Sequence, residues 1–160
     1  MMPTAIPPRL LKNPIHLLSL GFGSGLSPIA PGTMGTLVAI PMYWLIADLG
    51  LSTYLLITLF AMILGVYLCG ATARALGVHD HGGIVWDEIV GYFITMATVP
   101  ANWVWIVTGF VLFRFFDILK PWPIRRVDRQ VAGGLGIMLD DIMAGIYAWL
   151  VLQLIMLWTQ

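Results

Sequence analysis

Long apolar stretches alternate with short polar ones along this chain, and their lengths suit helices that cross a bilayer. Residues 1–33 form a mixed tail and loop whose only charges are Arg9 and Lys12. Within it, GFGSGLSPIAPGTMGT (21–36) is dense in Gly, Ser, Pro and Thr, which predicts an ordered loop. The stretch 34–51 is apolar but carries Pro41 and Asp48. Residues 53–73 are uncharged and long enough to span a hydrocarbon core. RALGVHDHGG (74–83) is a polar loop. The next apolar region is interrupted by VPAN at 99–102, a turn signal with a helix-breaking proline. Splitting there predicts helices over 84–99 and 103–120, about 24 and 27 Å long at 1.5 Å per residue. Residues 121–136 form a polar connection, and a last apolar segment, about 137–158, opens with Asp140 and Asp141. The expected fold is all-α: one polytopic membrane-embedded domain of about five membrane helices, the third hydrophobic region being a hairpin. An unbroken third region would give four spans.

Composition agrees. The chain has 160 residues, of which 59% are hydrophobic and 10% charged, against ~25% charged in soluble domains. Net charge is zero, so there is no nucleic-acid footprint. Cys69 is the one cysteine and lies in an apolar run, which excludes an internal disulfide and suits an inert buried thiol. The N-terminus has no compact cleavable signal pattern, which leaves targeting to the later apolar runs. With the hairpin, Arg9, Lys12, Arg74, Lys120, Arg125, Arg126 and Arg129 all fall on one side. The positive-inside rule makes that side cytoplasmic, with the C-terminus opposite.

The same arrangement gathers acids on the cytoplasmic face. IVWDEIVGYF (84–93) places Asp87 and Glu88 inside an apolar run, Asp117 ends the second hairpin helix, and Asp140 and Asp141 open the last one. Asp48 alone opposes them. Carboxylates at one membrane depth suit Mg²⁺, which binds a few carboxylates together with substrate phosphate. They equally suit helix starts in the headgroup zone, although Asp117 lies near a helix end, where Arg114, three residues earlier, shares its face. The Gly-rich loop, with Ser24 and Thr33, can approach an anion. Lys120 and Arg125 supply phosphate-binding charge, while Arg126 and Arg129 suit lipid anchoring. His79 or His81 could act as a base or stand as exposed loop residues. Trp86, Trp103, Trp105, Trp122 and Trp158 read as interfacial belt residues.

GFGSGLSPIAPGTMGTL, IVWDEIVGYF, FRFFDILKPWPIRRVDR and GGLGIMLDDIMAGIYA occur in this order. In this the chain resembles the bacterial phosphatidylglycerophosphatase A family over most of residues 17–148. The resemblance implies an inner-membrane, multi-pass, Mg²⁺-dependent lipid phosphatase facing the cytoplasm. Its substrate in the bilayer would be phosphatidylglycerophosphate and its product phosphatidylglycerol. Its site would draw on Asp87, Glu88, Asp117, Lys120, Asp140 and Asp141. Our assignment within that set makes Asp87, Asp117, Asp140 and Asp141 the metal ligands and Glu88 the base, with Asp117 and Lys120 also catalytic. Ser24, Thr33, Lys120 and Arg125 would bind the substrate phosphate. A lipid headgroup transferase and a small ion- or proton-coupled transporter are the rival expectations.

Overall fold

The computed structural model describes residues 6–159, among which there is no strand. Seven α-helices follow one another: α1 (Pro14–Ser19), α2 (Pro31–Ala47), α3 (Leu51–Leu76), α4 (Trp86–Thr95), α5 (Trp103–Leu119), α6 (Ile124–Gln130) and α7 (Gly133–Thr159). Short 3₁₀ segments cover Pro8–Lys12 and Gly21–Leu26. Helix boundaries follow local chemistry. Pro14 and Pro31 stand in first turns, where a missing N–H costs nothing. The side chains of Asn13 and Asn102 accept from Ile15 N and Trp105 N at 3.0 and 3.2 Å, capping α1 and α5. Gly77 ends α3 in the left-handed region.

Contacts between helices fix their directions. Glu88 meets Arg114, Gly91 meets Phe113 and Tyr92 meets Ile106, so α4 and α5 run antiparallel and the broken third region is a hairpin. Cys69 and Gly65 lie against Met138, and Gly70 against Gly134, so α3 and α7 are antiparallel. Gly91 and Thr95 meet Gly145, and Ala97 meets Trp149, so α4 and α7 are parallel. Gly32 faces Glu88 while Tyr43 reaches Val99, so α2 also runs with α4. The connections bearing Arg74, Lys120, Arg125, Arg126 and Arg129 therefore share one end with Asp87 and Glu88. The short turns after α2 and α4 lie at the other.

Two helices, α3 with 26 residues and α7 with 27, are long and apolar enough to cross a membrane. Large apolar side chains stay exposed, among them Leu45 (79%), Phe60 (67%) and Ile118 (71%), a surface that water-soluble proteins rarely present in such extent. The centre is α4, buried at every residue except the half-buried Ile94. Tyr43 of α2 meets Tyr54 of α3 and Tyr92 of α4 edge to face, and the hydroxyls of Tyr43, Tyr54 and Tyr92 donate to the carbonyls of Val99, Phe93 and Ile106.

Five expectations need correction. The stretch read as tail and loop contains α1, and α2 starts at Pro31, so Thr33 is helical and not in a loop; Pro14 and Pro31 in first turns allow these early starts. Helix α4 has 10 residues, not the span 84–99, because Val85 N donates to Ser19 O at 2.9 Å and ties the approach to the N-terminal segment. The connection 121–136 contains α6. Helix α7 starts at Gly133, so Asp140 and Asp141 lie two turns inside it and are not helix-start residues. Trp86 is no belt residue: it is buried and donates to Ala61 O at 3.0 Å, whereas Trp103, Trp122 and Trp158 are exposed.

The early start of α7 depends on close backbone approach. A Cβ on Gly134 would land on the Val66 carbonyl of α3. Gly134→Ala should therefore cost about 2–3 kcal/mol by forcing the helices apart. Gly77→Ala, in open space at φ 69, should cost about 1 kcal/mol through backbone conformation. Thermal unfolding in detergent measures both, and equal losses would refute the helix contact as the cause.

Candidate active site

Asp87 and Glu88 occupy the first turn of α4, where unpaired amide groups favour negative charge. Burial works against them: Asp87 is 7% exposed and Glu88 9%. Asp141 of α7 supplies a third buried carboxylate. One oxygen from each of the three lies within 4.8 Å of the others. Asp87 Oδ1, Glu88 Oε2, Asp140 Oδ1 and Asp141 Oδ1 are buried and accept no hydrogen bond. The ionised carboxylates of Asp87, Glu88 and Asp141 at this separation repel strongly in a low-dielectric setting. An all-oxygen donor set of net negative charge fits a hard divalent cation such as Mg²⁺.

Two cations border the cluster. Arg114 of α5 places Nη1 2.5 Å from Asp117 Oδ2 and 3.8 Å from Glu88 Oε1. Lys120, just beyond α5, has its Nζ 2.5 Å from Asp140 Oδ2 and 3.0 Å from Asp128 Oδ1. Burial disfavours the Lys120 ammonium, but the hydrogen bond to Asp140 and the charges of Asp140 and Asp128 outweigh it and hold its pKa above the usual lysine range. Lys120 also adopts a left-handed φ of 44, a conformation normally left to Gly or Asn.

The Gly-rich stretch, whose second half forms the first turns of α2, closes over this end of α4. Gly35 packs on Val85, and a Cβ on Gly32 would fall on Glu88 Oε1 and lie 3.0 Å from Arg114 Nη1. The absent side chain at Gly32 thus lets the first turn of α2 meet the acids. Ser24 Oγ is buried without a hydrogen-bond partner, and Thr33 is half-buried.

Of the residues singled out in the sequence, Asp87, Glu88 and Asp141 converge. Asp117 and Asp140 are each held by a cation. Arg125 is exposed and, with Lys120, lines a neighbouring cavity. His79 is exposed, and His81 Nδ1 accepts from Gly83 N at 3.0 Å, a turn-forming role. Sequence reasoning paired Arg114 with Asp117 but missed its reach to Glu88. The available signal was an arginine inside an otherwise apolar helix, costly unless partnered. The carboxylates sit at one end of the bundle, and Asp48, at the other, is exposed. That is unlike an ion path, which distributes acids through the depth of the bilayer.

No solved structure matches the chain. A phosphatidylglycerophosphatase A of Escherichia coli strain K12 is 56% identical over 137 residues, covering 85% of this chain and 80% of the relative. A phosphatidylglycerophosphatase A of Haemophilus influenzae is 52% identical over 150 residues, covering 92% of each. A Bacteroides thetaiotaomicron protein bearing the provisional name phosphatidylinositol-3-phosphatase is 39% identical over 145 residues, covering 85% of this chain and 89% of the relative. Residues 17–156 match the family description itself, and with these relatives that match places the chain in the phosphatidylglycerophosphatase A family.

Proposed function

We propose that this chain hydrolyses phosphatidylglycerophosphate to phosphatidylglycerol and inorganic phosphate in phospholipid biosynthesis. The observation that carries the reading is the buried group of Asp87, Glu88 and Asp141, with orphaned oxygens, in a member of this family. Asp87 and Asp141 would hold Mg²⁺, with Asp140 beside them. The chemistry such an ion supplies is Lewis-acid neutralisation of the phosphoryl oxygens.

The chain's own groups do the remainder. Glu88 Oε1 faces Arg114, which orients the carboxylate, and Oε2 takes a proton from the attacking water. Lys120 Nζ has three hydrogens. Two serve Asp128 and Asp140, and the third is free to donate to a phosphoryl oxygen. Asp117 acts through Arg114, as the partner that holds the guanidinium in place. The Gly32 approach keeps bulk water from Glu88. Positioning and charge account for most phosphoryl-transfer catalysis.

The setting we infer is the bacterial cytoplasmic membrane, with five crossings by α2, α3, α4, α5 and α7 and the carboxylate end facing the cytoplasm. Alternating helix directions, basic residues gathered at that end and exposed apolar side chains support this. At about 15 Å, α4 is shorter than the hydrocarbon core. It is enclosed by its neighbours, so its ends need not reach both surfaces.

The test is phosphate release from phosphatidylglycerophosphate in detergent, first with Mg²⁺ and then with excess chelator. No nucleotide or alcohol acceptor is added, which separates a hydrolase from a transferase. Release should require Mg²⁺ and fall at least about 100-fold in Asp87→Asn, Asp117→Asn and Asp140→Asn. Release that survives chelator, or that all three variants keep, would sink the carboxylate–metal mechanism.

A further inference from the structure

We propose that the cavity walled by Lys120, Arg125, Arg126 and Arg129 binds the phosphodiester of the substrate lipid, the phosphate that does not react. This subsite would then set the preference for lipids carrying two phosphates over those carrying one. The inference rests on the function proposed above and deepens it.

The cavity has a volume of about 520 Å³, and Leu119 and Trp122 add apolar wall to its four cations. Lys120 is engaged by Asp128 and Asp140. Among the described residues, Arg125, Arg126 and Arg129 have no ion-pair partner. The one acid of their helix, Asp128, is already taken by Lys120. Three guanidinium groups around one hollow favour an anion with several oxygens, because each planar fork can give two parallel hydrogen bonds to a phosphate.

Two neighbours of the cavity identify which phosphate. On one side Lys120 reaches Asp140, the residue before Asp141 of the carboxylate cluster. On the other lies a groove of about 350 Å³ along α5, where Val111, Phe115 and Ile118 form the apolar wall and Arg114 a charged edge. The three apolar residues share a helical face and are exposed at 57, 54 and 71%. Leu119 and Arg125 line both hollows, so groove and cavity adjoin. One path runs from apolar groove to arginine cavity to Lys120 to carboxylates; Arg114 also joins the groove to Glu88 directly. Phosphatidylglycerophosphate has the same order: acyl chain, phosphodiester, glycerol, phosphomonoester. With the monoester at the carboxylates, the diester falls to the arginines and an acyl chain lies against α5. Phosphatidic acid has no diester and would leave the cavity unfilled.

The experiment compares kcat/KM for phosphatidylglycerophosphate and phosphatidic acid in nonionic-detergent micelles, using the full chain. The ratio of the two should fall at least tenfold in Arg125→Gln/Arg126→Gln. Inhibition by phosphatidylglycerol, which retains the diester, should weaken by a similar factor. Arg125→Lys/Arg126→Lys, which keeps the charge, should recover part of the ratio. The single variant Arg126→Gln, at an exposed position, gives the same reading if the double variant fails to fold. A ratio within twofold of the parent would overturn the subsite, whether absolute rates fall or not; a parallel fall for both lipids would make the arginines general anchors to anionic surfaces. A parent protein that releases no phosphate from phosphatidylglycerophosphate would overturn the proposed function, and the subsite with it.

Discussion

Asp141→Asn should lower phosphate release from phosphatidylglycerophosphate by about 1000-fold or more, about 4 kcal/mol of transition-state stabilisation. The same variant, free of divalent cations, should unfold at a higher temperature than the parent. Both expectations come from one feature. Three carboxylates present oxygens within 4.8 Å of one another, away from water. At an effective dielectric near 20, two ionised groups at that distance repel by roughly 3 kcal/mol. Asparagine keeps the shape, removes one charge and offers an N–H₂ donor to an orphaned neighbour. Relief of repulsion stabilises the fold, while the loss of an anionic ligand removes the cation's hold. Added Mg²⁺ should therefore raise the melting temperature of the parent, as a ligand of the native state does, and leave the variant nearly unmoved. Melting curves in detergent with and without Mg²⁺ measure this apart from turnover. A variant that melts lower than the parent and keeps the full Mg²⁺ shift would show that Asp141 serves packing and not the cation.

Arg114→Gln should cost about 2–3 kcal/mol of stability and about 100-fold in phosphate release. Breaking a buried ion pair by removing one partner costs about 3–5 kcal/mol, because a charge is left without compensation. The Arg114 and Asp117 side chains are each 14% exposed, so water screens part of that, and the expected loss is smaller. The second variant decides the role. Arg114→Gln/Asp117→Asn removes the stranded charge of Asp117 and should recover most of the stability. It should not recover the rate, because Glu88 Oε1 still lacks the cation that orients it. Recovery of both would make Arg114 a structural counterion only. Arg114→Lys tests the fork: a point charge on a flexible stem cannot reproduce the planar guanidinium that reaches both Asp117 and Glu88. It should keep stability better than rate.

The sequence by itself determined the long apolar helices, the break in the third hydrophobic region and the gathering of acids and bases at one end. These are consequences of composition and periodicity, whereas the family was legible from four motifs in order. Uncharged runs of helical length, a Val-Pro-Ala-Asn interruption at 99–102 and a one-sided distribution of Lys and Arg are local properties. A burial cost that each acid must offset was also legible, because Asp87, Glu88 and Asp117 stand in apolar runs whatever surrounds them.

Only the tertiary structure decided how those acids divide. Asp140 and Asp141 are adjacent, and on a helix adjacent residues point about 100° apart. They therefore meet different partners: Asp141 faces α4 and the pair Asp87–Glu88, while Asp140 meets Lys120. That division depends on α7 beginning at Gly133, which its glycine-rich start does not favour locally. The contact of Gly134 with Val66, where only a glycine fits, overrides that local preference. The burial of Trp86 and the approach of Gly32 to Glu88 have the same origin. Each is a contact between segments remote in sequence, set by helix direction and rotation, and no local pattern of residue types encodes either.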